Sequence, residues 1–409
     1  MSQGTQKFAF TDFFSKGQYE TQVETLQTQE SSKEIIIGIP KEIRLGESRV
    51  GLVPNSIRTL VGYGHRVIVE SKAGERSNFS DNDYSEAGAE IAQSKNEVFK
   101  ADVLIKIAPP TLNEIDLMQP DTVLVSPLQI PVLSEEYILK LKKKRILALA
   151  MEYIQSDDGN FPIVNIMSEI GGMVAMLTAA ELMNNTAGGR GTLLGGVSGV
   201  PPAKVVILGA GMVGTFATKT ALGLGASVRI FDNDISKIMR LQSAVGRTLH
   251  TSSINPVYLA YQLVSADVVI GAIHSKTGRA PILVTEEMVS KMKEGAVIID
   301  VSIDQGGCIE TSEMTTHENP TFVKHGVTHY CVPNINSKVA RTSSVAVSNI
   351  ITPLLIRMGS ANSLESLLYQ SKGIRNGCYT YKGCLVNEYL SRRFGVKYTS
   401  LDLLLTSNL

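Results

Sequence analysis

Apolar residues in this chain fall into short β-branched runs with amphipathic stretches between them. The first series is EIIIGIP (34–40), HRVIVE (65–70), DVLIKIA (102–108), TVLVSP (122–127) and RILALA (145–150). Runs without polar alternation predict strands buried on both faces. NSIRTLVGYG and SEEYILKLKKK, between those strands, have helical spacing. A second series starts at AKVVILGAGMVG (203–214) and runs to about residue 335, with strands KVVILG, SVRIFD, VVIGAI, AVIIDVS and THYCVP. Such alternation predicts an α/β fold of two Rossmann-like domains with parallel sheets. An apolar helix around 163–186 would pass from the first domain to the second. A helix at 342–358, N-capped by Thr or Ser, would return, joining the two by long helices and leaving the C-terminal segment to complete the first domain.

Composition narrows the class. A length of 409 residues suffices for two cores, and 39 basic against 39 acidic residues give no pull toward nucleic acid or an anionic membrane. The basic cluster Lys142–Arg145 reads as a solvated helix end. The apolar stretch Ile163–Met183 is interrupted by Glu169, Gly171, Gly172 and Glu181, which suits a core or interface helix better than a membrane span. Cys308, Cys331, Cys378 and Cys384 have no ligand or CxxC spacing, so free thiols and no metal site are expected. With no apolar signal segment at the N-terminus, the expected location is the cytoplasm. Residues 1–33 are polar and read as a flexible extension, although the patch Phe8–Phe14 offers something to dock.

The second series carries the first chemistry. Gly209, Gly211 and Gly214 stand in GxGxxG spacing between a strand and a helix. The first would allow the tight turn, the second the approach of a pyrophosphate, and the third close helix–strand packing. The next strand ends in Asp232, eighteen residues past Gly214, where a carboxylate accepts from both ribose hydroxyls and repels a 2′-phosphate. NAD is therefore the expected cofactor. The division expected is 34–165 with 341–409 as a discontinuous substrate domain, and 166–340 as the NAD-binding Rossmann domain.

A later strand runs into VIIDVSIDQGG (297–307). Asp304 falls at a strand's carboxyl end, where ligands collect in doubly wound sheets. It would serve there as a catalytic carboxylate or as a cap for the following turn, and physics alone leaves both open.

With these motifs in hand, the chain resembles the alanine dehydrogenase/pyridine nucleotide transhydrogenase family. The resemblance runs through GIPKEIRLGESRVGLVP (38–54), GHRVIVESKAG (64–74), MSEIGGMVA (167–175), GGRGTLLGGVSGVPPAKVVILGAGMVG (188–214), VSIDQGGCIETS (301–312) and YCVPNINSKVARTSS (330–344). EYIQSDDGNFPIV (152–164), the GGRG segment, the DQGG turn and the pair His250–Thr251 look like the dehydrogenase branch. The resemblance implies a substrate-carboxylate arginine at Arg49 and a catalytic aspartate at Asp304. It implies cofactor contacts at Ser168, Gly209, Gly211, Met212, Val213, Gly214, Asp232, Lys237, Ile273, His274, Val301, Asp304 and Asn334.

Two positions depart from the family pattern. The substrate-binding lysine of a Lys-Val-Lys-Glu-Pro motif falls on Ala108 in KIAPP, where only the first lysine survives, as Lys106. The acid/base histidine falls on Gln129 in PLQIP, and glutamine cannot exchange a proton near neutral pH. The transhydrogenases also lack both groups. The resemblance implies reversible, NAD-dependent oxidative deamination of L-alanine to pyruvate and ammonia, with Asp304 taking the proton-accepting role and His274 as the alternative. A homo-oligomer is expected, and the family is commonly hexameric. The alternatives are a dehydrogenase for another amino or imino acid, such as an opine, and a non-catalytic transhydrogenase-like NAD(H)-binding protein.

Overall fold

Residues 34–130, 133–275, 278–361 and 364–406 are described by a computed structural model. The extension at 1–33, with its Phe8–Phe14 patch, lies outside the described residues. The first sheet contains β1 (Ile36–Ile39), β2 (Arg66–Glu70), β3 (Glu90–Ala92), β4 (Val103–Ile105), β5 (Val123–Ser126) and β6 (Leu147–Ala150). The second contains β7 (Lys204–Leu208), β8 (Ser227–Phe231), β9 (His250–Ser252), β10 (Val268–Gly271), β11 (Val297–Asp300), β12 (Thr321–Lys324) and β13 (Val327–Tyr330). The chain then returns to the first sheet with β14 (Cys378–Tyr381) and β15 (Cys384–Leu385).

The strand orders are β15-β14-β6-β5-β4-β1-β2-β3 and β12-β13-β11-β10-β7-β8-β9. Apart from the antiparallel additions β14, β15 and β12, every pairing is parallel. Both sheets reverse direction of winding beside their first strand, at β1/β4 and β7/β10, and each reversal opens a crevice at the strand ends. Central strands such as β4, β6, β10 and β11 are buried along their whole length, which is why they read as unbroken apolar runs.

The elements absent from the sequence reading are β3, β9, β12, β14 and β15. Three of them, β3, β9 and β12, are edge strands of three or four residues with partly exposed side chains, too short to establish a period. Two boundaries also differ. The strand in AVIIDVS stops at Asp300, and Val301–Gln305 is a 3₁₀ turn. The returning helix, Ala340–Ser360, has no Thr or Ser cap, because the 3₁₀ turn Ile335–Val339 feeds directly into it.

Its serines act sideways instead. Ser337, Ser344 and Ser348 accept from the backbone N–H groups of Ser48, Val50 and Val53 at 2.8, 3.0 and 3.1 Å. These buried donors belong to an extended strap with no sheet neighbour, and leaving one unpaired would cost about 1–3 kcal/mol. The serine ladder therefore sets the position of Arg49 against the helix.

The helices Pro162–Leu182 and Ile335–Ser360 are long and apolar enough to cross a membrane by length and composition, and half of each one's most apolar stretch is buried inside the fold. Pro162–Leu182 crosses the helix that follows the glycine-rich turn, Met212–Gly223, at Gly172. A Cβ on Gly172 would lie 2.4 Å from the Val213 carbonyl oxygen and 2.8 Å from the Ala217 nitrogen. Both obstacles are backbone, so Gly172→Ala is expected to destabilise by about 1–3 kcal/mol through overpacking. Gly223→Ala meets nothing within 4 Å, and should be neutral or stabilising by up to about 1 kcal/mol. Urea unfolding of the two variants checks the contrast.

Candidate active site

Leu208, Gly271 and Asp300 are register partners on β7, β10 and β11, so the loops leaving these strands form one crest. On that crest Gly209 has φ +109°, and a Cβ there would meet the Ala272 carbonyl oxygen at 2.4 Å. A Cβ on Gly214 would lie 1.9 Å from the Gly209 oxygen. A Cβ on Gly211, in contrast, meets nothing within 4 Å, so this glycine borders open space. It is also the N-cap of Met212–Gly223, with no side chain capping the first N–H groups. Open space beside uncapped donors at a helix N-terminus suits a diphosphate. Met212 and Val213 form the first turn of that helix.

Asp232 is buried at the end of β8, and its two carboxylate oxygens accept from Ala210 N–H (2.7 Å) and Asp234 N–H (2.8 Å). It thus braces the glycine-rich turn while standing where a ribose would end. Lys237 lies in the first turn of the next helix, Ile235–Val245, which Asp234 caps. Ser168 is one helical turn before Gly172 and on the same face of the linking helix.

Asp300, not Asp304, caps the DQGG turn. The Asp300 carboxylate is buried and accepts from Ser302 N–H (3.0 Å), Cys308 N–H (3.0 Å) and Ser312 Oγ (2.7 Å). Gly306 and Gly307, at φ +87° and +78°, let the chain fold back over it. Ser302 Oγ accepts from Ile273 N–H at 2.9 Å, and Gln305 bonds both the N–H and the carbonyl of Ser275, so the loop bearing Ile273 and His274 is stitched to the turn. Val301 and Asp304 are held between these bonds. Asp304 opens onto the cleft. Desolvation by the surrounding protein raises its carboxyl above the usual aspartate range, against the pull of Asn334 N–H (3.3 Å), Arg49 and Arg44.

Glu47 ties the first domain to Asn334, which in turn bonds Asp304. Glu47 takes the Arg49 guanidinium in a fork, with Nε at 2.8 Å and Nη2 at 2.7 Å, both residues buried. Its Oε2 also accepts from Asn334 Nδ2 at 2.8 Å. Asn334, in the left-handed region at φ +57°, thus bonds Glu47 with its side chain and Asp304 with its backbone N–H. His317 closes the far side, with Nε2 3.3 Å from the Asn334 carbonyl oxygen, and burial lowers its imidazole from the usual value.

The two departing positions sit nearby but face a different surround. Lys106 is buried and bonds Glu42 at 3.0 Å and Glu114 at 3.2 Å. Burial alone would lower its ammonium, yet the two carboxylates outweigh that and hold it above the usual value. Ala108 is buried in the wall of a cavity of about 500 Å³ that Lys106 and Arg44 also line. Gln129, at φ +44°, accepts from Arg44 through its side-chain amide oxygen. Under that loop, Glu152 Oε1 accepts from Leu128 N–H (2.7 Å) and Gln129 N–H (3.4 Å), while its Oε2 is buried with no partner. Burial raises the Glu152 carboxyl, against those N–H bonds.

Glu47, Arg44, His317, Glu152 and Asp300 were missed at the sequence level. Glu47 had a signal: in an extended strap, residues two apart share a side, which places it beside Arg49. Arg44 lay in the same quoted motif, but nothing in the spacing separates it from a surface cation.

The comparisons agree with this architecture. Models described as the N-terminal and C-terminal domains of alanine dehydrogenase/PNT match residues 38–171 and 175–388. Alanine dehydrogenase 2 of Staphylococcus aureus (strain USA300) is 40% identical over 368 residues, 90% of this chain and 98% of the relative. A solved L-alanine dehydrogenase superposes with a TM-score of 0.83 at 37% identity, covering 88% of this chain and 99% of the other. A transhydrogenase from Sinorhizobium meliloti gives a TM-score of 0.74 at 25% identity, covering 87% and 99%.

Glu152 generates a prediction. Because the fold favours its protonated form, its contribution to stability falls as pH rises from the ordinary glutamate value through the raised folded one. Neutral Glu152→Gln should be more stable than the wild type at pH 7, with the gap closing below about pH 4, where the unfolded acid is protonated too. Urea unfolding between pH 4 and 8 measures this, and a pH-independent gap contradicts it.

Proposed function

The chain belongs to the alanine dehydrogenase/PNT family, an NAD(H)-using oxidoreductase family, and from that premise we propose that it catalyses the reversible NAD-dependent oxidative deamination of L-alanine. The balance is alanine + NAD⁺ + H₂O giving pyruvate + NH₄⁺ + NADH + H⁺. The observation that carries the reading is Asp304: a carboxylate released from turn-capping by Asp300, open to the cleft, and set against two arginines.

Gly209, Gly211, Gly214 and the N-terminus of Met212–Gly223 would hold the cofactor's diphosphate, and Asp232 its ribose. NAD, when bound, supplies the hydride acceptor; the remaining work falls to side chains of this chain. Glu47 occupies Nε and Nη2 of Arg49, so Nη1, now 3.4 Å from Met167 Sδ, is the nitrogen left for the substrate carboxylate. Asp304 takes a proton from the substrate ammonium, freeing the nitrogen lone pair to form the imine, and releases that proton to solvent; it then takes one from the water that adds to the imino carbon and returns it to the departing amine. Gln129 orients by hydrogen bonding but cannot share this proton traffic.

An absorbance assay at 340 nm with alanine, and with pyruvate plus ammonium, tests the activity. Absence of any NADH change, in a protein that binds NADH, refutes the reading and favours an NAD(H)-binding protein without turnover. Asp304 must be ionised to accept a proton, so deamination should rise with pH through its raised pKa. Asp304→Asn is expected to remove that acid limb and about 10²–10⁴-fold of the rate, with calorimetric NAD affinity retained. Full activity in the variant would disprove the assignment. Asp232→Ala should cost NAD affinity and shrink the NAD/NADP preference by about 10–100-fold, the worth of hydrogen bonds to a charged group; equal calorimetric affinities before and after would contradict it.

A further inference from the structure

Of the cations on the substrate side of the cleft, two are neutralised within the fold. Glu47 holds Arg49 in a fork, and Glu42 with Glu114 encloses Lys106. Arg44 has no such partner: among the described residues no carboxylate lies within ion-pair distance of it, and its guanidinium meets the neutral amide of Gln129. It is exposed toward the cleft, and its charge reaches Asp304. It also stands at the side of the cavity of about 500 Å³, whose walls beyond it are largely apolar: Ala108, Pro110, Leu112, Leu133 and Tyr137. The methyl of Ala108 leaves that volume open.

An unneutralised guanidinium beside an apolar cavity recognises a planar anion carried on a short hydrocarbon arm. We propose that Arg44 binds a carboxylate at the end of the substrate's side chain, so that the site takes four- and five-carbon dicarboxylic amino acids and their 2-oxo acids as well as alanine. This rests on reading the cleft as an amino-acid dehydrogenase site, with the α-carboxylate at Arg49 and the reacting carbon beside Asp304. On the inner wall Lys106 is already enclosed by Glu42 and Glu114, which leaves Arg44 at the rim as the cation open to the substrate's anion and limits the arm's length.

The test compares acids with their neutral isosteres. Calorimetry on the full-length protein, with and without NADH, is run with 2-oxoglutarate and with its side-chain amide. In parallel, NADH formation is followed with glutamate against glutamine and aspartate against asparagine. Wild type is expected to favour acid over amide by about 10–100-fold, the difference a charge-assisted bond makes. Arg44→Ala should reduce that preference to within about threefold, and Arg44→Lys should keep part of it, since a point charge replaces the fork. The proposal is overturned if wild type binds acid no better than amide, or if the preference survives in Arg44→Ala. Failure of the dehydrogenase reading shows differently, as no NADH from any amino acid. The calorimetric preference still reports on Arg44 in that case, and the wild-type comparison stands even if a variant does not fold.

Discussion

The site depends on a single buried carboxylate. Glu47 receives four donors, the backbone N–H, Nε and Nη2 of Arg49 and the amide of Asn334, at 2.7–3.0 Å. A charge this far from water is tolerated only when its lone pairs are met, and breaking such a pair leaves an uncompensated ion at a cost of about 3–5 kcal/mol. That requirement makes Glu47 a joint. Three of its donors come from the strap of the first domain and one from the loop after β13, so satisfying the carboxylate brings the two sheets' chemistry into register. Asn334 passes the constraint on by donating its N–H to Asp304.

Around this joint the labour is divided between neighbours of the same type. Asp300 and Asp304 lie four residues apart; the first is consumed by four polar hydrogens of its own turn, and the second is left to face the cleft. Arg49 and Arg44 divide likewise, one fixed by an internal carboxylate and the other meeting only an amide. In each pair the buried member is held by hydrogen bonds within the fold and the other is exposed. The surroundings of Ala108 and Gln129 fit the same logic. Lys106 is absorbed into an ion cluster, and what the alanine and the glutamine leave behind is space and an unneutralised cation.

Much of this was legible in the residues. Unbroken apolar runs marked the central strands because burial on both faces removes polar alternation, and in GxGxxG the first and third glycines, Gly209 and Gly214, answer steric demands that the backbone distances bear out. Short edge strands were not legible: β9 has three residues, and its pairing with β8 comes from the sheet rather than from its own pattern. The Thr or Ser expected to cap the returning helix does not do so, and a cap and a sideways acceptor use the same residue types.

The sequence by itself determined the α/β class, the central strands, the glycine-rich turn and the family, since these follow from local periodicity and from glycines whose role is local. Only the tertiary structure decided which of two aspartates caps the turn, that Glu47 is shared by Arg49 and Asn334, and that Arg44 meets no carboxylate among the described residues. Those outcomes depend on which donors and charges the folded loops bring together. Residues such as Glu47 and Asn334 are 287 positions apart, and no local pattern reports a hydrogen bond at that separation.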